Sequence, residues 1–285
     1  MTRSRRPILP RTVSLSRDGD VAVVTLRRPE KRNALRQVEC DGIALAVQLA
    51  VEGEAGAAGG SPGIGEDAVQ PSGTKPSAHP ARVILIRGEG DVFCAGADLG
   101  GVYESGFLDA AGRMTEAILA APVPMIAEVQ GAAVGAGCQL IMACDLRVFA
   151  PAAACWIPAA ANGLVLDTWM LNRTRELLGG ALARDLMIGG GRITAQRAEA
   201  LGFASRICDD AAQARRFAHD IAAQAPLSMR YAKAVLNDTK LRPSLSHAPA
   251  QDAHRELYDR VWQSEDVREA KAARSEGRRP QFSGR

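Results

Sequence analysis

The sequence predicts an α/β fold, and three observations carry that prediction. Between residues 82 and 150 apolar strand-like runs alternate with glycine turns and helical periodicity, the pattern of parallel strands joined by crossover helices. The dipeptide Asp18-Gly19 divides two alternating runs in "VSLSRDGDVAVVTLRRP", a strong hairpin signal. From residue 194 to the end the pattern is helical, with Thr194 and Asp209 as N-cap candidates.

Taken in order, residues 1–12 begin with the basic "MTRSRRPILPR" and read as a disordered tail. The hairpin opens a core spanning 13–193, and a helix is expected from Asn33 to about Val51. Residues 53–80, rich in Gly, Pro, Ser and Ala, break every periodicity. Without enough bulky apolar side chains to offset the entropy of ordering, they read as a flexible surface insertion. Next come the strand "RVILIRG", a helix around Ala110–Ala121, the strand "VPMIAEVQG" and a buried helix opening near Cys138. Residues 194–285 form a helical C-terminal region.

Composition excludes several function classes. A net charge of +3 in 285 residues gives no argument for nucleic acid, and no apolar run is long enough to span a bilayer or to follow the basic start as a signal peptide. The six cysteines lack paired zinc spacing and several lie in apolar runs, as reduced thiols of a cytoplasmic protein do. The four histidines share no ligand spacing with cysteines or acids, so no metal is expected. No G-x-S-x-G motif occurs to place a nucleophilic serine.

Two segments are alike: "FCAGADL" (93–99) and "VGAGCQL" (134–140). Each follows a strand with small residues and glycines. Each can therefore aim one backbone N–H at a common point, and two such donors make an oxyanion hole. With "RRPEKRNAL" (27–35) upstream and "ACDLRVFAP" (143–151) downstream, the chain resembles the crotonase superfamily of enoyl-CoA hydratases and isomerases. The resemblance spans nearly the whole chain apart from 53–80. Within the superfamily the chain resembles actinobacterial homologues that lack the catalytic glutamate pair.

That resemblance implies a spiral of ββα turns with a helical C-terminal trimerisation region, assembly as a homotrimer or as a hexamer of two trimers, and coenzyme A thioesters as ligand or substrate with no other cofactor. It assigns the oxyanion hole to the N–H groups of Ala97 and Ala136. Coenzyme A would lie against Arg28 to Ala34 and the backbone around Ala95, with Lys31 and Arg32 as cationic contacts and Asp98 and Leu99 close by. Asp98 also reads as a cap for a following helix, and Asp145 with Arg147 as a structural ion pair. An acyl pocket would be formed by Trp156, Ala159, Leu164 and Trp169.

Hydratases similar to this chain carry glutamates where Gln139 and Ala159 stand. Hydration needs one carboxylate to activate water and one acid to protonate the α-carbon; an amide can hold water but cannot titrate, and a methyl can do neither. Two readings follow. In one the chain binds fatty acyl-CoA thioesters in lipid metabolism and does not hydrate them. In the other it is an isomerase-like acyl-CoA enzyme with Asp167 as its single acid or base. Leu164, Val165, Leu166, Trp169 and Met170 would surround that carboxyl with apolar groups and raise its pKa. Asp167 equally fits the N-cap of the helix that follows it.

Overall fold

The computed structural model describes residues 8–53, 79–98, 100, 106–238 and 252–285. Strands β1 (Val13–Asp18) and β2 (Val21–Leu26) form the expected antiparallel hairpin, with Asp18 opposite Val21 and the left-handed Gly19 turning the chain. Strand β3 (Val83–Gly88) pairs parallel to β2, β4 (Met125–Val129) parallel to β3, β6 (Leu146–Phe149) parallel to β4, and β9 (Arg206–Ile207) parallel to β6. A smaller sheet joins β5 (Ala132–Val134), β7 (Ala154–Trp156) and β8 (Arg192–Thr194).

Parallel strands require crossovers, and helices supply them. Helix α1 (Gln37–Glu52) links β2 to β3, α2 (Phe107–Ala120) precedes β4, and α3 (Ala136–Ala143) joins β5 to β6. Side-chain alternation along β3 divides the core. Ile84 and Ile86 join the main cluster with Ile43, Met114 and Ile141. Val83 and Leu85 instead pack on the other face with Ile126, Val148 and the Phe217 side of α6 (Ala211–Ala222). The remaining helices are α4 (Thr168–Met187), α5 (Ala195–Ala200), α7 (Pro226–Asn237), α8 (Asp252–Gln263) and α9 (Glu265–Glu276).

Several boundaries differ from the sequence reading. The first long helix starts at Gln37 rather than Asn33, because Arg32 and Asn33 both take positive φ in a tight turn after the Pro29–Lys31 helical turn. Asn33 is buried there: its side-chain oxygen accepts the Arg28 N–H while its amide donates to the Glu89 and Val92 carbonyls. Part of the supposed tail is packed. Leu9 lies on the main core, Thr12 Oγ1 donates to Glu39, and the Pro10 ring sits against Gly42, where a Cβ would come within 2.6 Å of it.

Residues 1–7 of that tail and 54–78 of the predicted insertion lie outside the described residues. Thr194 caps α5 as expected, accepting the Arg197 N–H, whereas the cap of α6 is Asp210 rather than Asp209. Asp98 caps no described helix: α2 begins at Phe107, behind Gly106. The expected Asp145–Arg147 ion pair does not form. Arg147 is buried and donates to the carbonyls of Ile141, Cys144, Asp145 and Phe203, while the Asp145 carboxylate lies 2.9 Å from Lys233 Nζ. Carbonyls left open at the end of α3 attract that guanidinium more effectively than a carboxylate already held by a lysine.

Candidate functional site

The two glycine turns meet. Gly96 and Gly135 both have positive φ (+99° and +52°), and a Cβ built on Gly96 would lie 2.8 Å from the Val134 carbonyl oxygen and 3.6 Å from the Ala136 nitrogen. Backbone bonds from Cys94 N to Ala132 O and from Val134 N to Cys94 O stitch the turns side by side. Gly137 is needed for a different reason, since a Cβ there would stand 2.5 Å from the Cys94 carbonyl oxygen. One glycine bends the chain and the other lets two backbones touch. Among the described residues, neither the Ala97 nor the Ala136 N–H has a hydrogen-bond acceptor. Ala97 and Ala136 are half-buried residues on adjacent turns, the second of them opening α3; two N–H groups that converge are the chemistry that binds an oxygen bearing negative charge.

Gln139 follows on α3, half-buried, and its amide donates to Thr115 Oγ1 on α2 at 3.2 Å. Ala159 opens a short helical turn and packs against the main core, its carbonyl accepting the Leu164 N–H. Asp167 is the N-cap of α4: its carboxylate accepts the Met170 N–H at 2.7 Å. The expected apolar enclosure is absent. Asp167 is exposed, and neighbouring Val165 is 92% exposed, because Leu166 and Trp169 turn toward the core and leave the cap facing water.

The expected acyl-pocket residues divide in the same way. Trp156, Ala159 and Trp169 pack on the core, Leu164 is half-buried, and one face of Trp156 is covered by the Arg192 guanidinium at 3.8 Å, so that face is closed to an acyl chain.

On the coenzyme side, Lys31 and Arg32 are exposed on the left-handed turn, Ala34 is half-buried, and the Ala95 N–H donates to the Arg32 carbonyl. Arg28 is not a surface cation. It is buried, and its guanidinium donates to the Ala34 carbonyl and to Asp98 and lies 3.6 Å from Glu39. The Arg28 guanidinium, helped by the Gly100 N–H, holds the Asp98 carboxyl below its ordinary value. These two charges hold the loops together instead of facing a ligand. Leu99 lies outside the described residues.

Sequence reasoning missed Glu39 and Thr115. Burial pushes the Glu39 carboxyl up, but hydrogen bonds from Arg36 and Thr12 and the charge of Arg28 leave it below its ordinary value. The Arg-x-x-Glu spacing at Arg36 and Glu39, a capping-box arrangement, was the available signal. Nothing in the sequence marks Thr115 as the partner of Gln139.

Residues 76–285 match the family model described as enoyl-CoA hydratase/isomerase. The chain belongs to this family. It is 36% identical over 273 residues to proteins named probable enoyl-CoA hydratase echA6 from Mycobacterium bovis and Mycobacterium tuberculosis, covering 95% of this chain and 99% of theirs. It is 30% identical over 278 residues to the 2,3-dehydroadipyl-CoA hydratase of Escherichia coli, covering 95% and 98%. The crystal structure of an enoyl-CoA hydratase/carnithine racemase from Magnetospirillum magneticum matches with a TM-score of 0.78 at 25% identity, over 96% of each chain. The fold is thus that of the crotonases, with the helical C-terminal region expected of the enoyl-CoA hydratase/isomerase family. Within this family member all six cysteines are free and buried, and burial pushes the Cys40, Cys94 and Cys144 thiols up to about 12. No helix among the described residues is long and apolar enough to cross a membrane.

Proposed function

We propose that this chain binds fatty acyl-CoA thioesters in lipid metabolism and does not hydrate enoyl-CoA. The observation that carries the reading is the pairing of two N–H groups without acceptors, Ala97 and Ala136, with an amide and a methyl, Gln139 and Ala159, at the positions assigned to the catalytic glutamates. The thioester carbonyl would accept from the two N–H groups, which would polarise it. Gln139, anchored to Thr115, can orient a water but cannot take its proton. A methyl at 159 cannot deliver a proton to the α-carbon. Asp167, the remaining acid of that segment, faces water and holds the start of α4, which favours binding over a one-carboxylate isomerase.

The same reading places coenzyme A against the exposed Lys31 and Arg32 and the backbone near Ala95, and the acyl chain along Ala159, Leu164 and Trp169. It extends to a cytoplasmic trimer or hexamer. Exposed apolar side chains on the helical C-terminal region, Leu236 and Trp262, support assembly, and six buried thiols support a reducing compartment.

Crotonyl-CoA turnover and acyl-CoA calorimetry test the proposal together. No hydration is expected, whereas affinity should rise with acyl length by up to about 0.8 kcal/mol per buried methylene. Hydration within about tenfold of an ordinary hydratase would overturn the reading, since losing even one positioned acid or base costs roughly 10²- to 10⁴-fold.

A further inference from the structure

A cleft lies on the α6 face of the large sheet. Alternation along β3 sends Val83 and Leu85 into the layer under α6, and Arg87 follows them on that face; along β4, Glu128 follows Ile126 in the same way. Arg87 and Glu128 are register partners on neighbouring strands. Two charges thus stand where the pattern calls for apolar core. Across from them α6 lines the cleft with the methyl groups of Ala211 and Ala214 and carries Arg215 nearby, and a cleft of about 660 Å³ opens at the carboxyl ends of β3, β4 and β6. In open α/β sheets that end is where ligands bind.

Polar atoms at this cleft lack partners. Glu128 is 5% exposed, and one of its oxygens is 3.5 Å from Arg87, an ion pair at the outer limit of a hydrogen bond. Its Oε2 is buried with no hydrogen-bond partner among the described residues. Beside it, the Gln130 amide donates to the carbonyls of Gly88, Gly90 and Val92, which leaves its Oε1 buried and likewise without a partner. Buried acceptors without donors are costly and rare in native proteins, so each calls for a donor. Asp91, Asp209 and Asp210 add three exposed carboxylates, against Arg87 in the cleft and Arg215 nearby on α6. No three metal-binding side chains converge among the described residues. Acceptors spread in this way, beside the apolar Val148, suit an organic cation with several N–H groups and a hydrocarbon body.

We propose that this cleft binds a small aliphatic amine, its ammonium donating to Glu128 and Gln130 and its carbon chain lying along Val148 and Ala214. The proposal is independent of acyl-CoA and is tested without it. In titration calorimetry of the full chain, 1,5-diaminopentane should bind saturably and 1-pentanol should not. Glu128→Gln keeps the shape, removes the charge, and should weaken diamine binding by about tenfold or more. Arg87→Gln removes the competing cation and should tighten it, an outcome that a purely structural role for the pair would not give. Should Glu128→Gln fail to fold, Asp209→Asn at the exposed rim should still weaken binding by a few-fold. Absence of saturable heat at millimolar diamine, equal binding of pentanol, or a Arg87→Gln variant that binds no tighter would each overturn the proposal.

Discussion

A carboxylate next to a helix start is claimed first by the open N–H groups of that helix, and Asp167 shows the consequence. Its oxygen is 2.7 Å from the Met170 N–H, so the side chain is held by α4 and turned to water. Asp167→Ala should therefore lower stability by about 1 kcal/mol while Asp167→Asn, itself a good cap, changes it by only a few tenths. Chemical denaturation measures both. The wild type should exchange no α-protons of a bound acyl-CoA with deuterated water; exchange that vanished in the Asn variant would make Asp167 a base instead. Gln139 obeys the same local logic. Its amide is anchored at 3.2 Å to Thr115, a residue 24 positions away in the chain, and for that reason its place in the sequence announced a polar group but not its partner.

Elements, rather than single residues, create the paired donors. The Cys94 and Ala133 segments bridge in parallel, and this register brings the Gly96 and Gly135 turns together. Close approach depends on hydrogen at one position in particular. Gly137→Ala would put a methyl 2.5 Å from the Cys94 carbonyl oxygen, against backbone that cannot swing aside. The substitution should cost about 1–3 kcal/mol, the usual range for overpacking, and should weaken acyl-CoA binding as the turns separate. Urea midpoints and calorimetry check the two effects, and an unchanged midpoint would show that the turns part freely. Glycine spacing made both turns legible in the sequence. Their contact was not, because it depends on pairing between segments about forty residues apart.

Across the whole molecule, the helical C-terminal region is tied to the α/β core by the apolar face of α6 and, beside it, by a buried cation. Lys233 on α7 donates to the Ile118 and Val123 carbonyls and lies 2.9 Å from Asp145, so α7, the end of α2 and the approach to β6 share one charge. Lys233→Met should cost about 3 kcal/mol or more, since breaking a buried pair leaves groups without partners. Thermal unfolding would record it as a lower midpoint, and an unchanged midpoint would show that the two regions are held by apolar packing alone. The hairpin, the alternation of strands and helices, the helical C-terminal region and the glycine turns were determined by the sequence itself, because each rests on periodicity or on φ preferences within a few residues. Only the tertiary structure decided which charges serve the fold. Arg28 was drawn inward to Ala34 and Asp98, Arg147 to the carbonyls ending α3, and Asp145 away from Arg147 to Lys233. A charged side chain takes its role from the unpaired groups that folding brings beside it, and those come from distant parts of the chain.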